Sequence, residues 1–154
     1  MTGEGRSQPS VGRVLGLDVG DRRIGVAVSD PDRRFALPLR SIERDGRGGE
    51  LAAIAAVVEE DEVEEIVVGL PLSLSGESGA QAQSATAFAE ALERRLKLPV
   101  HLWDERLSTR EAVGRVEGER TGRRHARARQ NAADIDALAA SIILQAYLDG
   151  HKTG

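Results

Sequence analysis

Two apolar runs separated by a few residues restrict the start of this chain to one local structure. The stretch VLGLDVGDRRIGVAVSD, Val14–Asp30, places strand-forming residues on either side of a short loop bearing Gly20. That pattern predicts an antiparallel hairpin with strands over Arg13–Asp18 and Ile24–Ser29. A chain begun this way is committed to a sheet, and later segments must extend the sheet or cover it. One residue breaks the pattern. Asp18 stands where another Val or Leu would be expected, and a charge held in an apolar strand needs a partner or a task.

The later segments supply both kinds of element. A third strand is expected over about Ala36–Ile42, with Pro38 marking an edge position or an irregularity. A helix near Gly49–Glu60 carries Leu51, Ile54, Val57 and Val58 on one face. A short buried strand, Glu65–Gly69, is ended by Pro71, and a polar loop with Ser73, Ser75 and Ser78 leads to a helix over about Ala80–Lys97. A fifth strand follows at Val100–Asp104. A third helix is expected after Ser108, where Ser108 and Glu111 have the spacing of a capping box. An arginine-rich loop precedes a last helix, about Ala132–Leu148. The order βββαβαβαα predicts an α/β fold: a mixed five-stranded sheet, three antiparallel strands then βαβ crossovers, with helices on both faces. Residues 1–12 read as a flexible tail and 13–150 as one domain, a size that suits 154 residues.

Composition narrows the chemistry. With no cysteine there is no disulfide, thiolate metal site or Cys nucleophile, and His101, His125 and His151 have no ligand spacing. A metal here would be held by oxygen, which points to Mg²⁺ or Mn²⁺. No run of about 18 apolar residues predicts a membrane span, and the opening MTGEGRSQPS has no apolar core of a signal peptide. The expected location is the cytoplasm. The net charge of −4 hides a split: residues 43–65 hold nine acids against two arginines, and residues 106–130 hold eight arginines against three glutamates. Local charge decides whether a phosphate backbone is attracted, so the second stretch reads either as a solvated loop or as a nucleic-acid contact.

Three carboxylates could converge. Asp18 ends the first strand, Glu105 directly follows the fifth, and Asp136 lies near the start of the last helix. Strand C-termini open at one edge of such a sheet, the usual place for a site. Clustered carboxylates repel unless a cation lies between them. On the last helix, Ile135, Leu138, Ala139, Ile142, Ile143 and Ala146 are read as the buried stripe, with Asp136 on its shoulder in line with Ala140, Ile143 and Tyr147. Asp134 falls nearly opposite, three residues after Asn131, the expected N-cap, and suits a helix N-terminus. Each acid also has a plain reading: Asp18 bonding turn amides, Glu105 pairing with Arg106 or Arg110, Asp136 as a helix-terminal acid.

Four blocks, GLDVGDRRIGVAVSD, VVGLPLSLSGESGAQA, DERLST and DALAASIILQAYL, resemble the YqgF (RuvX) family of the ribonuclease H-like superfamily. The resemblance runs from about Arg13 to Leu148. It implies a ribonuclease H-like fold and a Mg²⁺- or Mn²⁺-dependent phosphodiesterase, with Asp18, Glu105 and Asp136 as its acidic catalytic and metal-binding residues. Asp18 would then sit in an apolar strand because the strand holds it rigidly as a ligand. A fourth acid is common in this superfamily, and Asp104 and Asp134 are weak candidates. Arg22, Arg23, Arg106, Arg110, Arg123, Arg124 and Arg127 lie near these acids in sequence and would contact phosphates. The family carries two assignments, processing of the 5′ end of pre-16S ribosomal RNA and resolution of Holliday junctions. The first is preferred on family grounds, with ribosomal particles as further partners.

Two rivals remain. An actin-like or sugar-kinase-like nucleotide site opens with a similar hairpin but needs two lobes, and 154 residues supply one. A non-catalytic nucleic-acid-binding module is the stronger alternative. No sequence feature marks a dimer interface, so the oligomeric state stays open.

Overall fold

The computed structural model describes residues 12–70, 79–105 and 128–151, with side chains of the last helix described from residue 133. Most of the expected tail, the loop with Ser73, Ser75 and Ser78, and the helix expected after Ser108 lie outside the described residues.

Strand β1 (Arg13–Val19) turns through Gly20, whose N–H donates to the Arg23 carbonyl at 2.9 Å, into β2 (Arg23–Ser29). Their antiparallel register sets Val19 opposite Ile24 and Asp18 opposite Gly25. β3 (Ala36–Glu43) pairs with β2 and forms one edge. Its register shifts between Val26 and Ala27, whose partners are Arg40 and Pro38, so Leu39 is an extra residue. Pro38 therefore lies in an edge strand and beside a bulge, where its missing N–H costs least.

Helix α1 (Gly49–Glu60) leads to β4 (Val63–Leu70), which runs parallel to β1. Helix α2 (Ala80–Leu96) leads to β5 (Val100–Asp104), parallel to β4. The sheet order is β3-β2-β1-β4-β5, which puts β1 in the centre with the C-terminal ends of β1, β4 and β5 at one end. The last helix, α3, spans Ala128–Gly150.

Strand alternation divides the core in two. Leu15, Leu17, Ile24, Val26, Ile66 and Val68 face α1 and α2, where Ile54, Val57, Phe88 and Leu92 complete one cluster. Val14, Ala27 and Val67 face α3, against Ala140, Ile143, Leu144 and Tyr147. The helices thus cover both faces.

The last helix departs from the expected one in two respects. It begins at Ala128, so Asn131 lies inside it and is not its N-cap; Ala, Arg and Gln are all good helix formers. Its buried face is also rotated. Ala137, Ala140, Ser141, Ile143, Leu144, Tyr147 and Leu148 are buried, whereas Ile135, Leu138, Ala139, Ile142 and Ala146 are only half-buried. The reason is the floor beneath it. A Cβ on Gly16 would lie 2.7 Å from Leu144 Cβ and 3.2 Å from the Ala140 carbonyl oxygen. Small residues on the helix meet glycines on the sheet, so closeness of approach, more than apolarity, sets which face is buried.

Candidate active site

On β1, Gly16 and Asp18 alternate onto the α3 side. Across the sheet, Ser41 pairs with Gly25 and Gly25 with Asp18. On the other side, the parallel register pairs Leu17 with Val68, bringing Gly69 alongside Asp18. Asp18 therefore has a glycine in the strand on each side, and each makes room for another acid. A Cβ on Gly25 would come within 1.9 Å of the Asp136 carbonyl oxygen, so the missing side chain is what lets α3 bring Asp136 over β2. A Cβ on Gly69 would lie 2.8 Å from Glu105 Oε2, so Glu105 folds back over β4 from the end of β5.

The three predicted acids are accordingly neighbours. Glu105 hydrogen-bonds Asp18, and the Asp136 charge acts on Asp18. Burial pushes the Asp18 carboxyl up, repulsion by Asp136 pushes it further, and the Glu105 hydrogen bond only partly offsets them, leaving it raised from 3.8 to about 6. Asp136 has its own partners: Arg23 Nε–H donates to Oδ2 at 2.5 Å and the Ser41 hydroxyl donates to the same oxygen at 3.1 Å. As a result the acids are near one another without being gathered as ligands. Among the described residues no group of three or more His, Asp or Glu side chains stands ready to hold a metal ion. The donor chemistry nonetheless suits one: all oxygens, one carboxylate half-buried against like charge, with an arginine cation already seated on the third acid.

The arginines divide. Arg22 is exposed in the β1–β2 turn, its carbonyl held by the Arg44 N–H at 2.8 Å. Arg23 turns inward to Asp136. Arg106, Arg110, Arg123, Arg124 and Arg127 lie outside the described residues. Asp104 ends β5 half-buried, paired in register with Leu70, and Asp134 is exposed on α3. The sequence reading passed over Gly25, Gly69 and Ser41. Counting back from the hairpin loop, Val19 to Ile24 and then Asp18 to Gly25, would have found the first.

Arg44 steadies the turn from the opposite face. It donates to the Gly20 carbonyl at 2.9 Å and to Glu50 Oε2 at 3.3 Å, and its guanidinium lies 5.2 Å from the centre of the Phe88 ring. The turn beside Asp18 is thus tied to both α1 and α2.

Comparison with known proteins identifies the family. The sequence profile of the RuvX family, described as Holliday junction resolvase, matches residues 12–150. A protein of Anaeromyxobacter sp. (strain Fw109-5) named "Putative pre-16S rRNA nuclease" is 48% identical over 138 residues, covering 90% of this chain and 97% of its own. One of the same name from Desulforudis audaxviator is 40% identical over 142 residues, covering 92% and 97%. Among solved structures, RuvC of Thermus thermophilus in complex with a Holliday junction substrate superposes with a TM-score of 0.56 at 16% identity, over 93% of this chain and 98% of that one. That likeness shows the fold, a ribonuclease H-like one. With the profile spanning the domain and relatives above 40% identity covering nine-tenths of it, this chain belongs to the RuvX (YqgF) family.

Proposed function

We propose that this protein is a metal-dependent nuclease that hydrolyses phosphodiester bonds, processing the 5′ end of pre-16S ribosomal RNA in the cytoplasm, with Asp18, Glu105 and Asp136 at its active centre. The RNA assignment follows the names of its relatives. The observation that carries the chemistry is the surroundings of Asp18. A structural carboxylate in a sheet is surrounded by donors, but this one is half-buried beside two further acids, an arrangement that a divalent cation would make favourable.

Asp18 and Glu105 would hold such an ion, with Asp136 as the third ligand. Bound there, Mg²⁺ or Mn²⁺ would polarise the phosphate and neutralise charge developing on the leaving oxygen. The chain's own residues do the rest. β1 fixes Asp18 in the central strand, and Gly25 and Gly69 set the approach of the other two carboxylates. Arg22, exposed in the turn, suits a phosphate contact. Arg106, Arg110, Arg123, Arg124 and Arg127 flank Glu105 and Asp136 in sequence and suit the same role, giving salt-sensitive binding with little base preference. With so few aromatics, a base-stacking platform is not the basis of recognition. Ribosomal particles are the natural context of such a substrate.

The family's description favours a second reading, resolution of four-way DNA junctions. That reaction cuts two symmetric strands and calls for a two-fold assembly. One assay separates the two. Purified protein is incubated with 5′-extended 16S precursor RNA or with a four-way junction, with Mg²⁺, Mn²⁺ or EDTA, beside Asp18→Asn. RNA cleavage that is lost with EDTA and in the variant supports the first reading. Cleavage of the junction alone establishes the second. Binding without cleavage of either favours a non-catalytic module.

A further inference from the structure

Arg23 and Asp136 are 113 residues apart in sequence and meet across the site. Two other arginine–carboxylate contacts between described residues, Arg44–Glu50 and Arg33–Glu65, are anchored twice. Arg44 also donates to the Gly20 carbonyl and Arg33 also donates to the Gly12 carbonyl at 2.8 Å, and both side chains are at most 25% exposed. Arg23 is 39% exposed, and among the described residues it makes no second hydrogen bond from its side chain. The Ser41 hydroxyl lies on the same Asp136 oxygen, so that carboxylate is held from the β3 side, away from the β4 side where Glu105 folds over Gly69. A half-exposed, singly anchored cation on the third acid of a would-be metal site is in the position of a competitor.

We infer that Arg23 is a displaceable counter-ion: it holds Asp136 against Ser41 until a divalent cation takes over that carboxylate, and the released guanidinium then serves as a phosphate contact beside the site. The inference rests on the metal-dependent reading above. Two cations cannot share one carboxylate without repelling each other, so each weakens the binding of the other by the same factor. Arginine suits the exchange because its planar fork fits a carboxylate and a phosphate equally well. Arg23 thereby acts through Asp136 and is a positioning residue.

The test is Mn²⁺ binding by the full chain, followed by electron paramagnetic resonance of the free ion, with Arg23→Gln, Arg23→Lys, Ser41→Ala and Asp18→Asn. Arg23→Gln is expected to tighten Mn²⁺ binding about two- to tenfold. Arg23→Lys, which keeps the charge, should stay close to the wild type, and Ser41→Ala should move in the same direction as Arg23→Gln by less. Asp18→Asn should abolish binding. In the wild type the Arg23 Nε–H resonance should shift as Mg²⁺ saturates the site. If Arg23→Gln melts like the wild type yet binds Mn²⁺ no more tightly, or if the resonance stays still while the metal binds, the inference is wrong and the metal-dependent reading survives. Should Arg23→Gln fail to fold, Ser41→Ala and the resonance decide it in the same way. If neither the wild type nor Arg23→Gln binds Mn²⁺, the metal-dependent reading fails and the inference falls with it.

Discussion

Asp18 and Glu65 lie under the same helix on adjacent central strands, and their chemistry is opposite. Glu65 is surrounded by donors: Tyr147 Oη–H at 2.5 Å and His101 Nε2 at 2.9 Å from Oε2, and Arg33 Nη1 at 2.7 Å from Oε1. Burial pushes its carboxyl up, but the hydrogen bonds from Tyr147 and Arg33, with the charges of Arg33 and His101, outweigh burial and hold it below the usual carboxylate range. Among the described residues the hydrogen bond acting on Asp18 comes from another acid, Glu105, and the Asp18 carboxyl is raised to about 6. One end of α3 therefore rests on a satisfied anion and the other on a strained one. Strain that the fold does not relieve is where an external cation has most to offer.

The glycine floor is what permits the strained end, and breaking it should have the largest effect. Gly25→Ala drives a methyl group against the backbone of Asp136, and backbone yields poorly. We expect a loss of more than about 3 kcal/mol in urea denaturation, together with loss of nuclease activity. Gly69→Ala makes a useful contrast. Its new methyl meets Ile143 Cδ1 at 2.7 Å and Glu105 Oε2 at 2.8 Å, both ends of flexible side chains. It should cost about 1 kcal/mol and remove activity by displacing Glu105. Equal stability losses in the two variants would refute the idea that the floor fixes α3 at Gly25 and only the acid at Gly69.

The two carboxylates themselves predict shifts of opposite sign. Asp18 has a raised pKa, so its ionisation costs folding free energy above about pH 6, and stability is recovered as pH falls from about 6 towards 3.8. Glu65 has a lowered pKa, so its contribution is complete above its ordinary value of 4.5 and is lost as pH falls through the folded value. Asp18→Asn should stabilise the metal-free protein at pH 7, by up to about 3 kcal/mol. Glu65→Gln should destabilise it, by about 2 kcal/mol. Urea midpoints at pH 7, 5.5 and 3.5 check both. An Asp18→Asn protein less stable than the wild type at pH 7 would mean that Asp18 is a structural anion after all.

Much of this frame is legible in the sequence, because it is set by local rules. The hairpin, the edge placement of Pro38, and the ranges Gly49–Glu60 and Val100–Asp104 follow from periodicity and turn chemistry. Asp136 faces the sheet and Asp134 is exposed, as helical phase suggests. What escaped the sequence reading depends on contact between distant segments. The buried face of α3 is chosen by Gly16 and Gly25 beneath it, and hydrophobicity alone points to a stripe of which Ile143 is buried and the rest half-buried. Glu65 is one acid in an acidic run, and nothing local shows that Tyr147 and Arg33 will meet it. Arg23 reads as one more phosphate-binding arginine until Asp136 arrives from the far end of the chain.

The smallest expected effect tests whether the two ends of α3 are independent. Tyr147→Phe keeps the ring that stacks on His151 at 4.1 Å and meets Trp103 edge-on, removing only the hydroxyl that donates to Glu65. Because Arg33 and His101 still face that carboxylate, the loss should be about 1 kcal/mol, and the Glu65 pKa should rise towards its usual range. The acid limb of stability, where the Glu65 contribution disappears, should therefore move to higher pH. Tyr147 and Asp136 are eleven positions apart on one rigid helix, roughly 16 Å along its axis. If α3 transmits nothing between its ends, Mn²⁺ affinity and the Asp18 titration will be those of the wild type. A change in Mn²⁺ affinity in Tyr147→Phe would show instead that the satisfied anion helps to hold the strained one in place, and that α3 is a lever seated on Glu65.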